Sequence, residues 1–279
     1  MNIRYSILCL LSCVLVCEKS NIQAAEQSEP ARLLVVTVTK GFRHGSIETA
    51  EPVIEKLGRE KGLFHADFLR MPPGRPPQPR RPRRQKNMTD EKWAQIEAEH
   101  KDKQRAFHKA DQPWQETLKQ KFAVAFSPES LAQFDGVVFV STTGELPIPD
   151  LGAFLKWIQE GHAFIGVHAA SDTLKSSDAY VEMIGGHFAG HPWTAGGEHG
   201  FVNHDPKHRI VQMFPERFRW KDEIYQYGSR YQPENVRVLL SIDMAASQPK
   251  HPWHVPVAWI REYGRGRVFY TCLLYTSPS

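Results

Sequence analysis

The sequence predicts an α/β fold, a three-layer α/β/α sandwich built on a mainly parallel sheet. The first observation behind this prediction is a set of short apolar runs without polar alternation, which is typical of strands that helices cover on both faces. The second is that these runs alternate with amphipathic segments of helical period, an order that favours parallel strands joined by right-handed crossovers. With 279 residues, 41% of them hydrophobic, the chain is long enough for one such domain with additions.

The positions of the apolar residues predict the first four strands and the helices between them. The strands are residues 33–38, 64–69, 137–140 and 163–167. The helices are residues 46–57, 150–161 and 177–184, and a short one begins at Ser127. Pro52 fits badly in the first helix, so that helix either bends there or starts nearer Thr49.

The chain after residue 184 is predicted as a loop followed by strands. The loop covers residues 185–193, and the strands cover residues 200–203, parts of 218–227, and 236–242. A closing hairpin pairs residues 255–260 with 267–271.

Residues 70–126 are predicted as an insertion into this domain. Its first part, residues 72–82, is so rich in proline and arginine that it can neither pair in a sheet nor continue a helix, so an extended, solvated path is expected. The charged stretch 89–122 is predicted as a helix that lies across the surface without a core of its own.

The excess of positive charge is confined to this insertion. Residues 70–86 contain seven basic side chains and no acidic one, and removing these seven charges from the net +4 leaves −3 for the rest of the chain. The body of the chain therefore gives no reason to expect a nucleic acid partner. A weaker hypothesis is that the basic tract contacts an anionic surface or polymer.

Residues 1–25 are predicted as a secretory signal peptide. Arg4 precedes an apolar run at residues 7–16, and small residues follow at 24–25, a pattern too short for a membrane span. We therefore expect an exported protein, periplasmic or extracellular, with lipid attachment at Cys13 as the minority alternative. Three of the four cysteines lie in this segment, so the mature protein is expected to lack a cysteine framework for disulfides or zinc.

His168 is the first candidate for chemistry, because it stands where the strand 163–167 ends. Ligands of open α/β sheets bind outside the carboxyl ends of the strands, so His168 is predicted to act as a general base or a ligand. Asp172 is predicted either to cap the following helix or to orient the ring. Glu223 is either a solvated strand-edge acid or a general acid/base, and the alternative for His168 is a structural histidine.

Polar and aromatic residues in neighbouring loops are predicted to bind substrate: Arg43, His44, Thr143, Glu145, Trp193 and Tyr225. If the sheet is parallel, the loops after its strands open on the edge that carries His168. The alternatives are a solvated pair at residues 43–44, a capping role for Glu145 and core packing of the aromatic side chains.

A divalent metal such as zinc is a further expectation, with His168, His187 and His191 as candidate ligands. Glycine and proline flank His187 and His191, which disfavours a pair of ligands one helical turn apart.

Seven motifs together resemble the ThuA-like (trehalose-utilisation) family. They are TKGFRHxSI at 39–47, STTGE at 141–145, GVHAASD at 166–172, GGxFxGHP at 185–192, DEIY at 222–225, PVAW at 256–259 and GRGRVFYT at 264–271. Their order and spacing over residues 32–271 make the resemblance more specific than any one motif.

The resemblance implies a class I glutamine amidotransferase-like fold, of the flavodoxin-like kind, over residues 31–271. It also implies a role in sugar metabolism, on trehalose-like disaccharides or their 3-keto derivatives, sometimes beside a sugar oxidoreductase of the same pathway. The family pattern favours Glu223 as a general acid/base. It further implies that residues 272–279, which replace the usual Leu-Gly-His ending, are a truncated or non-native tail.

His168 stands in the region where amidotransferases carry their nucleophilic cysteine, so a cysteine-dependent amidotransferase is not expected. The leading hypothesis is hydrolysis or isomerisation of the sugar, with His168 and Glu223 as partners and Asp172 nearby. The alternatives are a sugar-binding or accessory module without turnover, and a metal-dependent hydrolase of a non-sugar substrate.

Overall fold

The computed structural model describes residues 29–247 and 254–274. These residues contain eleven strands and five α-helices. The strands are β1 Ala31–Val36, β2 Phe64–Leu69, β3 Gly136–Val140, β4 Ala163–Val167, β5 Phe188–Trp193, β6 Glu198–Asn203, β7 Arg217–Lys221, β8 Ile224–Tyr227, β9 Arg237–Ile242, β10 Pro256–Tyr263 and β11 Gly266–Thr271. The helices are α1 Ile47–Lys61, α2 Asp90–Ala125, α3 Pro128–Leu131, α4 Leu151–Gln159 and α5 Asp178–Ile184, with 3-10 turns at His168–Asp172 and Pro233–Asn235.

Nine of these strands form one mixed sheet in the order β2-β1-β3-β4-β11-β10-β9-β6-β7. The pairs from β2 to β11 are parallel and the pairs from β11 to β7 are antiparallel. The last strand, β11, returns to lie beside β4, so the carboxyl ends of β1, β3, β4 and β11 meet at one edge. The predicted α/β class with a mainly parallel sheet is confirmed.

Helices cover both faces of the parallel half of the sheet. Since successive side chains of a strand point to opposite faces, a strand can pack against both helical layers. Val35, Val138 and Val140 face α1 and pack with Ala50 and Ile54. The opposite face contributes to the main core with buried side chains of α2, α4 and α5: Leu118, Phe122, Phe154, Ile158, Tyr180 and Ile184.

The helix ends follow local signals. Asp150 caps α4 by accepting a hydrogen bond from the Ala153 amide at 2.8 Å, and Ser177 caps α5 in the same way. Gly185 ends α5 with a φ of 93°, which favours glycine. Helix α1 runs past its predicted end and contains Pro52 without a break, and Ser46 before it makes no side-chain cap.

The insertion is anchored to the domain more firmly than its sequence indicates. Helix α2 is 36 residues long, and its second half buries Trp114, Leu118 and Phe122 in the main core. The prediction of a helix that only lies across the surface is therefore wrong for this half. Residues 72–88 have no regular secondary structure apart from turns, as expected. Among the described residues, no helix combines the length and the apolar character that crossing a membrane requires.

The region after α5 differs from its prediction in one respect. Residues 188–193, predicted as a loop, form strand β5 and pair with β8 in a separate two-stranded antiparallel sheet. The pairing is irregular, with register shifts around Gly190, and this explains why the sequence shows no clear alternation. The segment 218–227 divides at Asp222 and Glu223, so that β7 and β8 belong to different sheets.

Two predicted segments lie wholly or partly outside the described residues. The signal peptide at residues 1–25 lies outside the described residues. Of the predicted tail, residues 272–274 are described, and Cys272 is fully buried with its amide donating to the Val257 carbonyl at 2.7 Å. Whether residues 272–279 are native stays a prediction.

Candidate functional site

Imidazole, carboxylate and phenol groups from distant segments meet at the carboxyl edge of the parallel strands. His44 lies in the loop after β1, and His168 follows β4 directly. His191 lies in β5, while Glu223 and Tyr225 lie at the junction of β7 and β8. We call these five residues the edge cluster.

His168 is the buried centre of the edge cluster. Its side chain is 0% exposed, and its φ of 51° is a strained value for a residue other than glycine. Nδ1 lies 2.6 Å from the Cys272 carbonyl oxygen, which can only accept, so Nδ1 carries the hydrogen. The other nitrogen, Nε2, therefore faces the rest of the cluster.

Tyr225 contacts both central imidazoles. Its hydroxyl lies 2.6 Å from Nε2 of His168 and 3.5 Å from Nε2 of His44. Its ring packs on Phe188 with the centroids 4.4 Å apart. Burial raises the pKa of Tyr225 far above its ordinary value, so in this arrangement the hydroxyl keeps its proton.

Glu223 connects the three histidines. One carboxylate oxygen, Oε2, lies 3.3 Å from Nε2 of His168 and 4.0 Å from Nε2 of His44. The other, Oε1, lies 3.5 Å from Nδ1 of His191. The contact with His168 lowers the pKa of Glu223, burial opposes this, and the neighbouring imidazoles add to the lowering. The group is therefore a carboxylate at neutral pH.

His44 completes the cluster as a neutral ring. It stands edge-on to His168, with the ring centroids 4.7 Å apart. Burial and the neighbouring His168 lower the pKa of His44 to about 4. Its Nδ1 is buried and has no hydrogen-bond partner among the described residues.

The other predicted site residues mostly support loops. Asp172 pairs with Lys175 at 2.5 Å, and the hydrogen bonds of the described residues do not join its carboxylate to His168. Arg43 donates to the Thr37 carbonyl at 3.0 Å. Glu145 accepts hydrogen bonds from the amide and the hydroxyl of Ser176.

Thr143 and Trp193 are buried and turned away from solvent. The Thr143 hydroxyl donates to the Phe42 carbonyl at 2.9 Å and accepts from the Gly41 amide, which ties the loop after β3 to the loop after β1. Trp193 is only 1% exposed, so its ring is part of the core and offers no face to a sugar. Of the residues predicted to bind substrate, the structure brings His44 and Tyr225 into the cluster.

The metal-ligand set predicted from the sequence, His168, His187 and His191, stays a prediction, and it shares only His168 with the group that the structure brings together. Among the described residues, the group that could hold a metal ion is His44, His168 and Glu223, whose ligand atoms all lie within 4.8 Å of one another. His187 lies elsewhere, because its carbonyl accepts from the Gly228 amide at the far end of β8 from Glu223. A Cβ on Gly228 would lie 2.2 Å from the His187 ring, so that ring is packed against the backbone.

The sequence also gives no sign of the Cys272 carbonyl, which fixes the tautomer of His168. A backbone acceptor leaves no side-chain pattern, so no sequence signal could have found it. His191 was predicted only as a metal ligand, yet it contacts Glu223 from the open side, with its side chain 51% exposed.

An α/β sandwich with convergent polar groups at the carboxyl edge defines a class of proteins that bind small ligands outside their strand ends. A family model described as trehalose utilisation, ThuA, matches residues 84–273. The chain belongs to this family.

Two solved structures share the fold. A ThuA-like protein from Bacteroides uniformis is 17% identical with a TM-score of 0.56, and the match covers 90% of this chain and 85% of that one. A ThuA-like protein from Parabacteroides merdae is 17% identical with a TM-score of 0.54, and covers 87% of this chain and 79% of that one. A search of curated proteins found no match.

Proposed function

We propose that the chain is an exported enzyme of carbohydrate metabolism that hydrolyses or isomerises a trehalose-like disaccharide or its 3-keto derivative. The observation that carries this proposal is the convergence of three imidazoles, one carboxylate and one phenol at the edge cluster. The family description, trehalose utilisation, supports a sugar as the substrate. Export rests on residues 1–25 of the sequence alone.

The roles within the cluster follow from exposure. His168 is fully buried, with Nδ1 on the Cys272 carbonyl and Nε2 facing Glu223 and Tyr225, so it positions these two groups and does not touch the sugar. Glu223 and His191 face the open side, with side chains 20% and 51% exposed. In this proposal they form the pair that moves a proton to and from the substrate.

Such a pair suits a sugar that carries a ketone. A carbonyl acidifies the hydrogen on the neighbouring carbon, and a base removes that hydrogen to give an enediolate. Return of the proton to the other carbon, with transfer of the hydroxyl proton between the two oxygens, moves the ketone and isomerises the sugar. Departure of the glycosidic oxygen from the next carbon as a protonated alcohol, followed by addition of water to the double bond that forms, hydrolyses the disaccharide. An oxidoreductase that oxidises a sugar hydroxyl would supply the ketone.

The test is conversion of a panel of disaccharides and 3-keto glycosides by the purified full chain, followed by NMR of the products. We expect conversion of at least one sugar, and its loss in Glu223→Gln. Glu160→Gln is the matched control, because Glu160 lies at the end of α4 and pairs only with Lys156 among the ion pairs of the described residues. Binding of the sugars without conversion would replace this proposal with a sugar-binding accessory module.

A further inference from the structure

The inner part of the edge cluster contains more acceptor atoms than donors. The Cys272 carbonyl holds the hydrogen of His168 on Nδ1, which turns the lone pair of Nε2 toward Glu223. Oε2 of Glu223 is a carboxylate oxygen 3.3 Å from that nitrogen and can only accept. The Tyr225 hydroxyl can give its one hydrogen to Nε2 at 2.6 Å, so none is left for Oε2, and a cation between Oε2 and the imidazoles would balance the carboxylate charge.

His44 brings a third possible metal-ligand atom to the same point. Its Nε2 is 3.5 Å from the Tyr225 hydroxyl and 4.0 Å from Oε2 of Glu223, both too long for good hydrogen bonds. Its Nδ1 has no partner within the described part of the chain. Because neither Nε2 contact is a good hydrogen bond, Nε2 is the atom of this ring that is free to bind an ion outside the polypeptide.

The spacing of these atoms suits a small divalent cation. Zinc bonds of about 2.0–2.1 Å to nitrogen and oxygen, at tetrahedral angles, place neighbouring ligand atoms about 3.3 Å apart. The ligand atoms of His44, His168 and Glu223 lie within 4.8 Å of one another, and Oε2 of Glu223 is 3.3 Å from Nε2 of His168 and 4.0 Å from Nε2 of His44. The Tyr225 hydroxyl is 2.6 and 3.5 Å from the same two nitrogens, so the set lies close to that spacing.

We propose that His44, His168 and Glu223 bind one divalent transition-metal ion of the zinc type, with the Tyr225 hydroxyl beside it in the fourth position. Two imidazoles and one carboxylate bind transition-metal ions of this kind more readily than they bind calcium or magnesium. The hydrogen bond from Nδ1 of His168 to a backbone carbonyl is the support that metal-binding histidines usually receive.

The role given to this ion rests on the proposed function, to which it would add a Lewis acid. A cation at this point would polarise a sugar oxygen that entered from the side of His191. Glu223 would bind the metal through Oε2 and keep Oε1 for the proton transfer that it shares with His191.

The test is direct binding, independent of turnover. The full chain, stripped with a chelator and dialysed, is titrated with Zn²⁺ by calorimetry and with Co²⁺ by visible absorption. We expect one ion per chain with the absorption of a tetrahedral or five-coordinate site. Glu223→Gln and His44→Gln should each weaken Zn²⁺ binding by at least about tenfold.

His187→Gln is the matched control, because it removes the imidazole that the sequence alone assigned to the metal and leaves the structural set intact. His168→Gln is informative only if its thermal unfolding matches that of the parent chain, since His168 is buried. The proposal is overturned if the parent chain binds no Zn²⁺ in a 1:1 ratio, or if His187→Gln weakens binding as much as Glu223→Gln. Binding without sugar conversion overturns only the proposed function, and conversion by metal-stripped protein overturns only this inference.

Discussion

The edge cluster and the insertion at residues 70–126 are both rich in ionisable side chains, but they differ in how those side chains are paired. In the cluster, residues as far as 181 positions apart meet in a buried space, and acceptor atoms face one another. In the insertion, the half-buried cation Arg75 already pairs with the buried Asp111 at 3.3 Å, and the exposed Arg80 and Arg81 have no ion-pair partner among the described residues. The comparison teaches that incomplete pairing in a buried place indicates function better than charge density along the sequence.

The largest expected effect lies in the cluster. Glu223→Gln keeps the shape of the side chain and removes the charge that joins His168 to His191. We expect sugar conversion to fall by about 10²–10⁴-fold, the usual contribution of a positioned acid or base. The measurement is kcat/KM on the sugar that the panel identifies. Because Glu223 is partly exposed, the temperature of unfolding should stay near that of the parent, and full activity in this variant would remove Glu223 from the mechanism.

Substitutions in the insertion are expected to change the stability of the protein and not its sugar conversion. Trp114 is buried, donates from Nε1 to the Pro72 carbonyl at 2.8 Å and lies under the Arg75 guanidinium. Trp114→Ala should lower the free energy of unfolding by about 3–5 kcal/mol, measured by urea denaturation. Trp93→Ala, in the outer half of α2, is the control and should cost far less. Equal losses in the two variants would show that both halves of α2 are packed alike.

A smaller effect is expected from the ion pair below that tryptophan. Asp111→Ala leaves the mostly buried Arg75 without its carboxylate, at a cost of about 1–3 kcal/mol. Asp102→Ala removes an exposed pair with Arg105 on the same helix and should cost at most about 0.5 kcal/mol. The measurement is the free energy of unfolding of the two variants from denaturation curves. A larger loss in Asp102→Ala than in Asp111→Ala would contradict the burial of Arg75.

The smallest effect is expected from the exposed arginines. The triple change of Arg80, Arg81 and Arg83 to serine should shift the free energy of unfolding by less than about 0.5 kcal/mol per residue and leave sugar conversion unchanged. Retention on anionic vesicles and anionic polysaccharides is measured in parallel. A loss of retention in the triple variant would give the insertion a binding role and weaken the contrast with the cluster.

The parts of the fold that short apolar runs determine were predictable from the sequence. Strand β4 has its predicted bounds because its apolar run lies between two covered faces, and the edge strand β2 has them because its apolar residues alternate with exposed polar ones. Strand β5 was missed, and with it the place of His187, because its irregular pairing with β8 depends on a register that only the folded chain sets.

The candidate site was predictable in part for a similar reason. His168 could be located from its place after a buried strand, and Glu223 from the family motif around it. Asp172 was predicted to cap the following helix or to orient the His168 ring, but its side chain turns to Lys175. The meeting of His44 and His191 with Glu223 depends on the relative placement of separate loops, and local sequence holds no record of that.

The central claim is that three unprotonated ligand atoms face one point. They are Nε2 of His168, Nε2 of His44 and Oε2 of Glu223. Proton–nitrogen correlation NMR of the ¹⁵N-histidine-labelled, metal-stripped chain at neutral pH reports the protonation of each ring nitrogen directly. The account predicts a hydrogen on Nδ1 of His168, none on its Nε2, and a shift of the Nε2 signals of His44 and His168 when Zn²⁺ is added. A hydrogen on Nε2 of His168 that persists in the presence of Zn²⁺ would contradict it.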